Sequence, residues 1–381
     1  MRTSTDRILT THVGSLPRPL DVTTGIFAIE RGEPVDLVAH DEVIRRAVND
    51  VVARQVASGV DVVSDGEMDK ISYATYIKYR ISGFEGDSPR TPPADLEEFP
   101  GFLQRQAKSG GTPTYQRPQC VAEVRHVNPG PVARECTVFR EAVNANRPVD
   151  AFLNSASPGV IAMFQPNAHY KSHEEYLEAV AEAMRIEYEA IVAAGFVLQI
   201  DSPDLGLGRH MMFKRLSDDD YLRHVHANVD ALNHALRNVP ADRVRMHVCW
   251  GNYEGPHIHD APLATVMPVA LRAKPQGLLF ESSNPRHGHE WEDLSSMTIP
   301  DDKILIPGVV DTTTNFVEHP RLIAQRILNV ARVVGRERVM AGTDCGFSTF
   351  AGYPGIDTDI VYAKFNSMRE GAEIATDALW R

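Results

Sequence analysis

The sequence predicts an α/β fold, a (β/α)8 TIM barrel. Two observations predict it: eight short apolar runs are spread along the chain, and several of the intervening stretches carry helix start and stop signals. A doubly wound parallel sheet is the structural alternative for the same alternation. The runs are THVGS at 11–15, VDVVSDGE at 60–67, DAFLNSA at 150–156, FVLQID at 196–201, VRMHVC at 244–249, GLLFESS at 277–283, ILIPGVVD at 304–311 and RVMAGTD at 338–344.

The second and third runs are separated by an irregular stretch. Residues 81–118 hold Pro89, Pro92, Pro93, Pro100, Pro113 and Pro118 with Gly110 and Gly111, more turn chemistry than a barrel connection needs. They read as an excursion inserted after strand 2 of a single domain, 1–381. An excursion leaving there emerges at the C-terminal face of a barrel, where it either covers a ligand or is inert. Beyond it, Ser172 and Glu175 form a capping-box pattern ahead of Tyr176, Val180, Ala183, Met184 and Ile191 at helical spacing, with Gly195 as a stop. Ser217 opens the next such segment. Pro320 suits a first helical turn, Ile323, Ile327, Val330 and Val334 make one stripe, and Gly335 ends it.

Composition narrows the function. The 381 residues are 43% hydrophobic, enough for a full core. Acidic residues outnumber basic ones by 51 to 39, for a net charge of −12, which argues against nucleic acid or an anionic membrane as partner. The opening MRTSTDRILT has no apolar signal-peptide core and no run of about 18 apolar residues follows, so a cytoplasmic location is expected. Four cysteines in a chain of this length do not make a disulfide framework. Cys120 and Cys136 read as structural.

The other two cysteines sit at predicted strand ends. His247 and Cys249, in RMHVCWGN, are two apart on a strand and so project from one face. That pair alone is more often core packing than a metal site. The ends of other strands supply Glu281 in LLFESSN and Cys345 in AGTDCGF, and one histidine, two cysteines and one glutamate make a ligand set acceptable to Zn²⁺. Singly, Cys345 reads as a small apolar filler and Glu281 as a surface or ion-paired carboxylate.

In order, THVGSLPRP, SDGE ending at Glu67, LQIDSPDL around Asp201, MHVCWGN, LLFESSN, PGVVD and GTDCGF resemble the C-terminal catalytic barrel of cobalamin-independent methionine synthase and its single-barrel relatives, over nearly the whole chain. The resemblance implies that His247, Cys249, Glu281 and Cys345 bind zinc. It also implies that Val13, Gly14 and Ser15, with Glu67 and Asp201, hold the amino-acid part of a thiol resembling homocysteine. Carboxylates suit an α-ammonium, and backbone N–H groups or a hydroxyl suit an α-carboxylate. Read without it, Gly14 serves a turn, Glu67 pairs with Lys70 and Asp201 caps the next segment. The implied activity is zinc-dependent S-methylation of homocysteine to methionine, in which the metal stabilises the nucleophilic thiolate. Glu67, Asp201 and Asp311 are the candidate catalytic residues, and Asp311 and Asp344 are candidates to orient ligands.

Departures from the family's pattern fall on the donor side. Thr312 and Thr313 follow Asp311 where the long enzymes carry an Ile-His pair, Ser202 replaces an acidic neighbour of Asp201, and the folate-binding N-terminal barrel has no counterpart. The donor is therefore either a methyl-folate or a methyl-corrinoid carried by another protein. Two alternatives remain: an epoxide:coenzyme M type transferase, for which Arg18 and Lys78 are conceivable sulfonate contacts, and a zinc-binding subunit without turnover. Two thiolates argue against a zinc hydrolase. His257 and His259 in GPHIHD read as solvated loop residues, and Tyr73 and Tyr76 as core.

Overall fold

The computed structural model describes residues 1–89, 92–108, 115–353 and 355–381, the side chains of 106–108 excepted. Gly110, Gly111 and Pro113 of the predicted excursion lie outside the described residues. The barrel strands are β1 (Val62–Val63), β4 (Asp150–Ala156), β5 (Val197–Asp201), β6 (Val244–Val248), β7 (Gly277–Phe280), β8 (Ile304–Val310) and β9 (Gly342–Thr343), all parallel neighbours in that order. A short antiparallel pair, β2 (Phe84–Glu85) with β3 (Gln119–Cys120), stands apart from them.

The N-terminal segment closes the ring. Thr11 bridges to Val62 of β1 and Thr10 bridges to Ala341 beside β9, both in parallel. Thr11 N–H donates to the Ala341 carbonyl at 2.8 Å and Ala341 N–H to the Leu9 carbonyl at 2.9 Å. Seven of the eight apolar runs thus hold the strands of the barrel sheet, and the first lies in the bridging segment that closes it. Closure follows the pleat: alternate residues turn inward, and Leu9, Val13, Val62, Phe152, Val197, Leu279, Ile304, Ile306 and Met340 pack together as the barrel interior. Their neighbours in sequence, such as Val63, Leu153, Leu198, Met246 and Leu278, join the larger core under the helices.

The helix signals hold. Ser172 caps His173–Ala193 by accepting the Glu175 N–H, and Ser217 caps Asp218–Ala235 by accepting the Asp220 N–H. Helix Pro320–Val334 starts on its proline and stops at Gly335, where φ is +89°. No helix among the described residues is long and apolar enough to cross a membrane.

After β1 the chain makes its excursion through β2, helices Ala94–Glu98 and Pro100–Lys108, and β3, before helix Gly130–Asn146 returns it to β4. Pro92, Pro93, Leu96, Phe102, Leu103 and Tyr115 share one cavity with His247, Cys249 and Cys345. The excursion therefore reaches the C-terminal face and walls its cavity.

Candidate metal centre

His247 points into the barrel from β6, Cys249 follows the last residue of that strand, and Cys345 lies two residues past β9. Their ligating atoms all lie within 4.8 Å of one another. The two sulfurs are 3.6 Å apart, close to the ~3.8 Å edge of a tetrahedron with Zn–S bonds of about 2.3 Å. Both ring nitrogens of His247 are buried with no hydrogen-bond partner among the described residues. Burial pulls this imidazole down to about 3, keeping it in the neutral form that ligates. The adjacent Cys345 sulfur, then burial, push the Cys249 thiol well up. Two sulfurs and an orphaned imidazole, out of water and facing one another, are a donor set that a thiophilic divalent cation fits.

Glu281 does not join the three. It follows β7 and carries the Trp250 N–H on Oε1 and the Asn284 amide on Oε2, each at 2.8 Å. Burial and the neighbouring Cys249 hold its carboxyl well above the usual range. The loop bearing it is pinned by Asp344, whose carboxylate accepts the N–H groups of Ser282, Ser283 and Asn284 at 2.8–2.9 Å.

His247, Cys249 and Cys345 line a cavity of about 1130 Å³, shared among others with Val13, Ser15, Glu67 and Asp201. Asp201, the last residue of β5, is held by Asn154 at 3.0 Å and Gln199 at 2.9 Å. Arg245 in turn fixes Gln199 through a 2.8 Å bond and stacks over Phe152. Glu67 leaves Oε2 buried without a hydrogen-bond partner among the described residues. Burial raises Glu67 to about 8, with Asp201 adding to the shift, and burial raises Asp201 to about 6. Tyr73 lines the same cavity and packs edge-on against Phe164, with Phe350 beyond.

Other residues singled out in the sequence land differently. The Val13 N–H donates to Thr343 and the Gly14 N–H to His12, so neither faces the cavity as a donor. Gly14 is required on its own account: φ is +142°, and a Cβ there would meet Asn154 Oδ1 at 2.3 Å. Lys70 donates to the Asn154 carbonyl at 2.6 Å. Asp311 folds back onto Thr313 and Thr314, leaving Thr312, Thr313 and Asn315 to face the cavity. Arg18 binds the carbonyls of Glu67 and Ser348, and Lys78 pairs with Glu30, so neither reaches the cavity as an anion anchor.

Tyr76 is core, bonded to Ser155 and Glu187, but Tyr73 is a cavity wall; helical spacing alone could not separate them. His257 is largely buried and holds Asp260, whereas His259 stays on the solvent side, as expected, in an exposed pair with Glu98. Asn154 and Gln199 were invisible to motif reading, although Gln199 occupies the inward position two residues before Asp201 at the end of β5.

The cobalamin-independent synthase catalytic domain matches residues 104–373. A methionine synthase of Saccharolobus solfataricus is 26% identical over 98% of this chain and 96% of its own, and that of Sulfurisphaera tokodaii 22% over 97% and 93%. The solved B12-independent methionine synthase from Shewanella sp. W3-18-1, in complex with selenomethionine, superposes with a TM-score of 0.73 at 18% identity, covering 98% of this chain and 99% of that one, a likeness of fold. With the family's domain spanning most of its length, this chain belongs to the cobalamin-independent synthase catalytic-domain family.

Proposed function

We propose that the protein is a zinc-dependent thiol S-methyltransferase that makes methionine from homocysteine. One observation carries the reading: His247, Cys249 and Cys345 converge at a cavity that also presents Glu67 and Asp201. The name methionine synthase borne by the Saccharolobus and Sulfurisphaera relatives supports it.

His247, Cys249 and Cys345 would hold the zinc, with Glu281 beside Cys249 as the fourth protein donor. Zinc supplies a Lewis-acidic centre that keeps a substrate thiol in its thiolate form near neutral pH. The chain's own residues do the positioning. Glu67 and Asp201 receive the α-ammonium, and the bonds from Asn154 and Gln199 aim Asp201 at it. Ser15 stands at the same wall to meet the α-carboxylate. Tyr73, Phe164 and Phe350 exclude water from the sulfur's path. The sulfur gains the methyl group while the donor keeps its bond's electron pair, and the donor is a methyl-folate or a corrinoid-borne methyl.

X-ray absorption at the zinc edge tests this, with homocysteine and with coenzyme M. The expected result is a new sulfur neighbour at about 2.3 Å with homocysteine. A new sulfur only with coenzyme M, or none with either, overturns the reading. Turnover with methyltetrahydrofolate against methylcobalamin-loaded carrier protein then separates the donors.

A further inference from the structure

We propose that the protein holds a second divalent transition-metal ion, between Asp95, His210 and Asp260, which ties the excursion to the barrel rim. The three come from separate segments: Asp95 from helix Ala94–Glu98 of the excursion, His210 from the turn following Leu207–Arg209 after β5, and Asp260 from the loop after β6. Their ligating atoms lie within 4.8 Å of one another. Their side chains are 0–1% exposed.

The His210 ring makes the case for a cation. Its Nδ1 is 2.9 Å from Asp260 Oδ1 and 4.0 Å from Asp95 Oδ2. Yet among the described residues Nδ1, Nε2 and Asp260 Oδ1 find no aligned hydrogen-bond partner, the short contact lying off the ring N–H direction. A buried imidazole and carboxylate this close, with the ring N–H direction off the line between them, leave both groups short of the aligned hydrogen bond that burial calls for. An ion to the side of that line, on the lone-pair direction of the ring nitrogen, would be ligated by both. With bonds of about 2.1 Å, pairs 2.9 and 4.0 Å apart subtend about 90° and 145°, angles open to a six-coordinate ion.

The surroundings hold both carboxylates in place, as outer partners do around metal ligands. Asp260 Oδ2 is held by His257 Nδ1 at 2.8 Å and His287 Nε2 at 2.9 Å, and His287 reaches Glu290 at 2.7 Å. Asp95 accepts the His259 N–H on Oδ1 and the Tyr253 hydroxyl on Oδ2, each at 3.1 Å. An imidazole with two carboxylates suits Mn²⁺, Fe²⁺, Co²⁺ or Zn²⁺. Such an ion would fix Leu96, one residue beyond Asp95, against the cavity it lines, and so anchor one wall of that cavity.

The inference stands independently of the methylation reading. Chelator-stripped full-length protein is titrated with Co²⁺, following bound metal after dialysis and the near-ultraviolet thiolate-to-cobalt band. Wild type is expected to retain about two equivalents, of which about one gives the thiolate band. Cys249→Ser should lose the band and keep an equivalent; His210→Gln should keep the band and lose one. Asp95→Asn, on the excursion, repeats the second measurement if His210→Gln fails to fold. A single equivalent in wild type, or an undiminished count in a folded His210→Gln or Asp95→Asn protein, overturns the proposal. Loss of the thiolate band alone would strike the first centre and leave this one standing.

Discussion

Glu67 carries two burdens: a backbone at φ +55° and a buried carboxyl raised to about 8. Arg18 on its carbonyl and its own N–H on Asp65 hold the strained turn. A carboxyl whose folded value is raised favours the folded state while protonated, so its support falls as pH climbs from the ordinary carboxylate value to about 8. Glu67→Gln should therefore melt near wild type at pH 5 but be more stable by about 2 kcal/mol at pH 8, read by thermal unfolding. The same variant should bind norleucine, an amino acid without sulfur, some ~10–100-fold more weakly by calorimetry. Cys345→Ser should lower zinc affinity by about 100-fold or more, read by competition with a chelator, and turnover should fall with it. His247, Cys249 and Cys345 were legible in sequence because period-two alternation and strand-end placement are local rules. The hydrogen bonds that engage the Val13 and Gly14 N–H groups were not legible, since Thr343 and the His12 ring become their partners only in the closed barrel.

At the scale of elements, the loop after β7 depends on a residue from the loop after β9. Asp344 accepts three consecutive N–H groups there, and through Asn284 it fixes Glu281. Asp344→Asn keeps the size but halves the acceptor capacity, and should weaken zinc binding by about 10–100-fold with little change in secondary structure, read by metal competition and circular dichroism. Helix caps were readable from Ser172 and Ser217, because the capping residue and its N–H partner lie within one turn, and Pro320 marked a helix start whose cap, His319, carried no such signal. The excursion was readable as irregular from its prolines. Its contact with the barrel was not, because Asp95 meets His210 and Asp260 across more than a hundred residues.

For the whole molecule, the barrel closes through a segment that supplies bridges but little regular strand. Deleting residues 1–13 removes Leu9 and Val13 from the interior and leaves β1 and β9 as open edges. The expected outcome is loss of the cooperative thermal transition and of the metal centre together, seen by circular dichroism and zinc content. The eight-strand pattern was legible over the full length because each strand announces itself within a few residues, whereas the seam joins Thr10 to Ala341 and has no local signature. During synthesis that seam sets a timetable. Thr11 finds Val62 early, but the other edge of the same segment waits for Ala341, roughly 15–55 s later at about 5–20 residues per second. Through that interval the nascent chain is an unclosed sheet with its first edge exposed, so the stretch of its life most open to misassociation is the time before its last strand leaves the ribosome.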